Sequence, residues 1–578
     1  MSKLSIEQKT IRELLTDKHA DFLIPDYQRP YAWGEDECAT LWDDLFAFAF
    51  PNDDYEQFDS KSDEYFLGPI VTFKNDDGKL EIIDGQQRLT TIMLLLRAFY
   101  DKFANMKDKQ SVKTRATIAE CVWKTDEFDE PDTDRLKIDS EVASDNDKGE
   151  FLAILRTGDV EKSWRSAYAC NFAFFQRKIS ELVNEWPTYT VYLATRVLNN
   201  VILLPIEAES QDTALRIFST LNDRGLPLSD ADIFKSQFYK YFSDLGRKDE
   251  FISRWKRIEE RAGKIFSPLH GTPMDELFTR YMYYERAREG NRSTTTQGLR
   301  DYYGRNGYAL LKNEGTLNNL EALADFWSRV DSQEGFSKRV LRQLLILRYA
   351  PNGMWTYLVS VWFLSKRNES GELDDNEFCE FLRRITGFIF AYAIERPGVN
   401  ALRSPVYPEL INIVEGREVT FSDYRFDSAD IRSRFLSYAF TNQRPITRSI
   451  LVWWAFRDPE QELFDSDTVL EVEHIYARRR NEFEPLRNRA NLEALGNKAM
   501  LEKSVNIRAA DFRFEDKRKY YLGFKDGRGQ EKAGTKIHEL AEMARASDDF
   551  TETDIETRTV KIIGSFVDYL GEVDLLRD

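Results

Sequence analysis

Cysteine is scarce in this chain. Cys38, Cys121, Cys170 and Cys379 are the only four in 578 residues, and no two share a CxxC spacing. That argues against a zinc knuckle and a disulfide scaffold and suits a reducing cytoplasm. Histidine is as rare, with His19, His270, His474 and His538 only. No run of about 18 apolar residues exists, so no transmembrane helix is expected. The N-terminus, Met1-Ser-Lys-Leu-Ser-Ile-Glu-Gln-Lys, has no apolar core of a secretory signal. No internal repeat is evident. Positive charge is also short: 81 Lys and Arg face 99 Asp and Glu, for a net charge of −18. Taken alone, that speaks against a protein coated in nucleic acid.

What is present is enough for large cores. Hydrophobic residues make up 42% and aromatics 13%, while 31% charged residues and a mean hydropathy of −0.53 suit a soluble protein. At about 150 residues per domain, the length suggests roughly three to four domains. The expected class is α+β, predominantly helical. Residues 1–240 mix strand signals (Tyr65–Phe73, Leu80–Ile83, Val201–Ile206) with helical ones (Thr90–Phe103, Ala214–Leu221). Residues 241–440 read as almost wholly helical, with aromatics at helical spacing over Leu277–Tyr284 and Phe378–Ala393 and polar breaks at 286–297 and 366–376. Those stripes read as core. Residues 441–578 read as a compact helical and loop region. The acidic stretches 52–64 and 125–150 read as surface loops.

The charge is uneven. Residues 474–530 hold 14 Lys and Arg against 8 Asp and Glu, a surplus of six inside a remainder of −24. A basic segment in an acidic chain points to a local polyanion site, or to an ordinary solvated helical face.

Leu80-Glu-Ile-Ile-Asp84-Gly85-Gln86-Gln87-Arg88-Leu-Thr-Thr-Ile92 is the most informative stretch. An apolar strand meets an Asp-Gly turn, and a helix begins at its far side. Free N–H groups and the positive helix end favour an anion there, and Arg88 can add a bidentate grip on phosphate. An ordinary strand-turn-helix corner has the same spacing. Upstream, Ile24-Pro25-Asp26-Tyr27-Gln28-Arg29-Pro30-Tyr31-Ala32-Trp33 is held extended by two prolines. Tyr27, Tyr31 and Trp33 offer flat faces, and Gln28 and Arg29 offer donors, as a nucleobase or nucleotide requires. A Pro-bounded edge strand with inward aromatics is the plainer alternative. Further on, Asn222-Asp223-Arg224-Gly225 forms a turn signal that exposes Asn222 and Arg224, and Ser229 caps a helix beginning near Asp230.

These three clusters, in this order over about 210 residues, resemble the GmrSD-like restriction proteins, whose N-terminal domain is similar to ParB and sulfiredoxin. The resemblance implies a nucleoside-triphosphate site using Arg29, Asp84, Gly85, Gln86, Gln87, Arg88, Asn222 and Arg224. It would hydrolyse or sense GTP, ATP or UTP and gate DNA cleavage. Asp84 and the glutamines would orient metal or water, and Arg29, Arg88 and Arg224 would bind phosphates.

The C-terminal third carries a second pattern. Glu473-His474-Ile475 is followed by Gly496-Asn497 and then Asn506, at intervals of 23 and 9 residues after His474. A carboxylate beside His, then Asn, then a third N/O ligand resembles the layout of a ββα-metal (HNH) nuclease, which GmrSD-like proteins carry at this end. A Mg²⁺ or Mn²⁺ ion needs oxygen ligands and open water positions, and Glu473 and Asn506 supply oxygens. A neutral His474 can take a proton from attacking water, and Asn497 would hold the imidazole in place. Arg478, Arg479, Arg480, Lys517, Arg518 and Lys519 would hold the DNA backbone. Two departures from the family pattern are Ala477, where Pro is common, and Lys498, where an apolar residue is common.

The resulting expectation is a cytoplasmic anti-phage enzyme that recognises modified DNA, binds or hydrolyses NTP and cuts with the HNH site, with a homodimer suited to cutting both strands. Two alternatives stand beside it. One is an NTP-regulated, ParB-like DNA-binding protein without nuclease activity. The other is an HNH nuclease whose Tyr27, Gln28, Tyr31 and Trp33 read the modified base without NTP hydrolysis.

Overall fold

A computed structural model of the chain describes residues 7–577, apart from 129, 143–144, 146, 162, 211–212, 215–216, 218–228, 270 and 466–467. The class is α+β and predominantly helical. The chain forms two compact units, Met1–Lys256 and Arg257–Asp578. The expected C-terminal region and residues 257–440 of the expected middle region therefore fall within one unit, while 241–256 belong to the first. Among the described residues, no helix is long and apolar enough to cross a membrane.

The first unit is built on a mixed sheet. Its strands are β1 (Lys9–Thr10), β2 (Phe22–Ile24), β3 (Tyr65–Lys74), β4 (Leu80–Asp84), β7 (Ile138–Ser140) and β8 (Val201–Ala208), and their order is β1-β8-β3-β4-β2-β7. Strand β2 runs parallel to both β4 and β7, and β3 is antiparallel to β4 and parallel to β8. Strands β5 (Trp123–Thr125) and β6 (Pro131–Leu136) form a separate antiparallel ladder. The apolar runs Ile70–Val71 and Val201–Leu203 are buried, as strands covered on both faces must be. The helix Gln86–Phe103 fixes the site corner to this sheet. Leu89, Ile92, Met93, Leu96, Phe99 and Phe103 recur at helical spacing and are all buried, so its position is set by burial over five turns.

Three sequence expectations change here. The acidic stretch 125–150 is not only loop: β6 crosses it, and Ile138–Ser140 is an edge strand of the main sheet with Ile138 fully buried. The run from Ile24 is not an edge strand: only Ile24 belongs to β2, which sits between β4 and β7, and residues 25–34 form turn and loop. The helix expected over Ala214–Leu221, with Asn222 and Arg224, lies largely outside the described residues. Beyond it, Ser229 caps the helix Asp230–Asp244 through a reciprocal box with Asp232.

The second unit is helical apart from two short ladders. The helices Pro273–Arg288 and Asp375–Glu395 take in the aromatic stripes, which pack inward; Trp362, for example, stacks on Phe381 at 4.1 Å. Strands β9 (Leu470–His474) and β10 (Lys498–Glu502) pair antiparallel with His474 opposite Lys498, and the helix Lys503–Ala509 follows directly.

Candidate functional site

Two clusters merit construction from their residues. The first is the corner after β4. Gly85 sits at φ +95°, and a Cβ there would lie 3.0 Å from Ile70 and 3.2 Å from the Pro69 carbonyl, so only glycine makes this turn. The helix starts at once. Its first two side chains turn back onto the 29–33 segment: Gln86 Nε2 donates to the Arg29 carbonyl (3.1 Å), and Gln87 Nε2 to that of Pro30 (3.1 Å). Gln87 Oε1 accepts from the Ala32 amide at 2.8 Å. Both glutamines are buried, and Gln86 Oε1 has no partner. Arg88 donates to Asp84 at 3.2 Å and to the Leu67 carbonyl at 3.4 Å. Burial lifts the Asp84 carboxyl above its ordinary value, against the pull of Arg88 and Arg29.

The expected base-contacting set is largely spoken for. Tyr31 is buried, stacks on Tyr168 at 4.8 Å, and bonds Thr91 (2.8 Å) and Asn171 (3.0 Å). Gln28 donates to the Ile82 and Ile83 carbonyls, and the Tyr27 hydroxyl donates to Glu81 at 3.1 Å. Trp33 packs against the core and keeps partial exposure. The polar-aromatic segment is thus largely consumed in packing against the sheet, because its Gln28 donor meets backbone acceptors and its Tyr27 and Tyr31 hydroxyls meet neighbouring side chains.

The second cluster forms where β9 ends. His474 is buried beside Lys498, with Glu493 Oε1 3.5 Å from its Nε2, which has no hydrogen-bond partner. Burial, reinforced by the Lys498 and Arg478 cations, pushes the imidazole down to about 4 against the pull of Glu493. It is neutral at pH 7 and keeps a free lone pair or proton at that edge. Glu493 also pairs with Lys498 (2.5 Å) and Arg478 (3.1 Å).

Asn497 does not touch the imidazole. Its Oδ1 accepts from the Tyr476 amide (2.6 Å), and its Nδ2 donates to the carbonyls of Tyr476 (3.1 Å) and Leu492 (2.9 Å). It therefore fixes the backbone that leaves β9. The expected metal pair is not assembled either. Glu473 is buried with Lys517 Nζ at 2.6 Å and the Tyr521 hydroxyl at 2.8 Å, while Asn506 donates to Glu471 at 2.8 Å. Burial holds the Glu473 carboxyl above its usual value against Lys517 and Tyr521. A cation already sits on this carboxylate. Among the described residues, no group of three or more His, Cys, Asp or Glu is arranged to hold a metal. These donors do not fit a resident ion.

The basic residues divide sharply. Lys517 is buried and also donates to the His474 carbonyl at 2.7 Å, so it cannot reach a phosphate. Arg480 is tied to Glu484 and Asp549, and Arg518 to Asp548 and the Ala544 carbonyl. Arg478 is exposed but paired with Glu493. Arg479 and Lys519 are exposed and form no ion pair among the described residues.

Comparison with known families now decides the matter. Residues 11–239 match the family model of the GmrSD restriction endonuclease N-terminal domain, and residues 427–565 match that of the GmrSD restriction endonucleases' C-terminal domain. The chain is a GmrSD-like restriction endonuclease. No curated protein matches it. The GmrSD domains indicate phage defence with DNA as partner, and both clusters described above lie within them.

The GmrSD C-terminal domain also uses residues that the sequence did not flag, Trp454, Glu539 and Arg558, around the Gly496 that it did. Gly496 packs against the helix Glu552–Glu572 so closely that a Cβ would lie 1.9 Å from the Ile555 carbonyl. From the same helix, Arg558 donates to the carbonyls of Leu495, Gly496 and Lys498. Glu539 and Trp454 hold Arg558 in turn. No short motif links positions 454, 496, 539 and 558; only an Arg and a Glu on apolar helical faces hinted that such a pair exists.

Proposed function

We propose that this protein cleaves DNA phosphodiester bonds by hydrolysis at the β9–β10 site, with His474 as general base. The observation that carries the reading is the buried, neutral imidazole at the strand end, with one ring nitrogen free of hydrogen bonds. A neutral imidazole can take the proton of an attacking water, and burial keeps it unprotonated at the working pH. Asn497 fixes the turn behind it, and Lys517 fixes its carbonyl, so the ring is presented by a braced backbone. Of the six basic residues expected on DNA, Arg479 and Lys519 are free to bind the backbone among the described residues, with Arg478 joining them where phosphate displaces Glu493. Lys517 and the Tyr521 hydroxyl already hold Glu473 Oε1, so a Mg²⁺ or Mn²⁺ ion there would have to displace them.

The N-terminal corner is proposed as the regulatory NTP site, with Arg29 and Arg88 on phosphates. Arg88 is already held by Asp84, so an incoming phosphate competes with one carboxylate for the guanidinium. That competition offers a direct way for nucleotide to alter the β4 turn. Modified DNA is the proposed target.

The test is cleavage of glucosylated phage DNA and matched unmodified DNA, with divalent cation and with or without NTP. Wild type, His474→Ala and Arg88→Ala run side by side. The reading expects cutting of modified DNA, its loss in His474→Ala, and an altered nucleotide dependence in Arg88→Ala. Cutting by His474→Ala at the wild-type rate would remove the base assignment.

A further inference from the structure

The helical part of the second unit contains a cavity of about 490 Å³, within the range of small-molecule sites. It opens among the helices Pro273–Arg288, Glu314–Ser332, Lys338–Arg348 and Met354–Lys366, and the segment leading into β9 closes it. None of its lining belongs to the residues discussed so far as catalytic or nucleotide-binding.

Its chemistry is specific. Arg280 is buried, with its guanidinium 4.3 Å from the ring centroids of both Phe266 and Trp327. Its Nε donates to Glu276 at 2.8 Å, but Nη1 has no partner. A buried donor left unmade is costly, and an acceptor bound in the cavity would satisfy it. Trp355 lies across from Trp327, with ring centroids 5.6 Å apart at 67°, so it adds a second indole to the wall. At the rim, Arg348 and Arg448 are exposed and form no ion pair among the described residues. Arg257, Arg261, Arg288, Arg305 and Arg339 of the same unit are all salt-bridged. Two rim carboxylates, Asp331 and Asp465, match Arg348 and Arg448 in number, but neither Arg is ion-paired to them.

We propose that this cavity binds a nucleotide unit. Its base would lie against the indoles, with an acceptor on Arg280 Nη1, and its phosphate would meet Arg348 and Arg448. The unit can be extruded from DNA or arrive free in solution; both present the same flat, anionic group. The cavity touches the nuclease strand. Leu470, the first residue of β9, lines the cavity with Tyr349, and His474 lies four residues along, about 13 Å at 3.3 Å per residue. An occupant pressing on Leu470 therefore acts on the strand that carries the base.

The extruded source rests on the DNA-cleaving reading, so the test separates the two. Full-length His474→Ala protein, which the reading leaves unable to cut, is irradiated with a duplex carrying one 5-iodocytosine, and the crosslinked peptides are identified. Binding of dCMP and dAMP is followed in parallel by tryptophan quenching. Both are repeated with Arg348→Glu/Arg448→Glu, whose exposed sites leave folding intact by melting temperature. Crosslinks at Trp327, Tyr349 or Trp355 support the extruded source, and quenching without such crosslinks supports the free one. In either case the double Glu variant weakens the signal about ten-fold or more, since at least one charge-assisted contact is lost. Crosslinks confined to other segments with no quenching, or signals unmoved by the double variant, overturn the site. Wild-type cutting would then still stand on its own evidence.

Discussion

Replacing Arg558 by Leu tests whether the nuclease loop is held from behind. Arg558 is buried. Its Nη1 donates to the carbonyls of Leu495 (3.1 Å), Gly496 (3.0 Å) and Lys498 (2.6 Å), while Nε and Nη2 donate to Glu539 at 2.9 and 2.8 Å. The Leu variant leaves three carbonyls short of a donor and Glu539 with the Trp454 indole as its remaining hydrogen bond at 2.7 Å. Breaking a buried pair costs about 3–5 kcal/mol. Glu539 keeps 24% of its side chain exposed, which lets water soften the loss, so the lower end, about 3 kcal/mol, applies. Arg558→Leu/Glu539→Leu strands no charge and should recover about 1–2 kcal/mol of that. The pH sign follows from Glu539. Burial pushes its carboxyl up, but Arg558 holds it below its ordinary value in the native protein. Its contribution is therefore present above the unfolded carboxyl pKa and is lost on acidification. Without Arg558 the burial effect wins, so the single variant's deficit is largest at pH 7–8 and shrinks towards pH 4–5. Urea midpoints from tryptophan fluorescence at pH 5 and 8 measure all three proteins. Equal midpoints for the single and double variants at pH 8 would refute the stranded-charge argument. Cleavage should fall in both, because Gly496 and Asn497 lose their brace in both.

Three further outcomes are expected. Gly496→Ala places a Cβ 1.9 Å from the Ile555 carbonyl, a backbone atom that cannot rotate away, so destabilisation of about 3 kcal/mol or more and loss of cutting are expected in melting and nicking assays. His474, with its folded pKa near 4 against 6.5 unfolded, binds fewer protons folded than unfolded in that window; its stability contribution is complete above about pH 6.5 and is lost as pH falls towards 4, and His474→Gln should flatten this slope in pH-resolved denaturation. Lys517→Met leaves Glu473 buried and unpaired at a cost of about 3–5 kcal/mol, and adding Glu473→Gln should restore part of it, whereas a surface phosphate contact at 517 would show an intact melt and only weaker DNA binding.

Periodicity made the scaffold readable. Tyr65–Phe73, Leu80–Ile83 and the helix after Gly85 appear where apolar spacing put them, because burial of a continuous stripe dominates local choice. Ile138–Ser140 escaped notice because three residues inside an acidic stretch carry no period, and only their neighbours in the sheet make them a strand. The Ser229 cap was legible because it is chemistry within four residues.

The sites were legible as residue types and illegible as free valences. Lys517 and Lys519 are two residues apart and identical in side chain, yet one is sealed against Glu473 and the other is open to solvent. The difference is helical phase: 517 falls on the buried face of the helix Phe514–Leu522 and 519 does not. The basic surplus of 474–530 dissolves for a related reason. Arg480, Lys517 and Arg518 spend their charge on Asp549, Glu473 and Asp548, all outside that window. A count along the chain cannot see carboxylates that folding brings in from elsewhere. The same logic applies to Gln28, Tyr31, Gln86 and Gln87, whose polar ends read as ligand groups but mostly meet backbone or neighbouring side chains. What distinguishes a binding group from a bracing one is an unmade hydrogen bond. His474 Nε2 beside Glu493 and Arg280 Nη1 beside the helical cavity are groups of this kind, and they are the two places on which the proposals here rest.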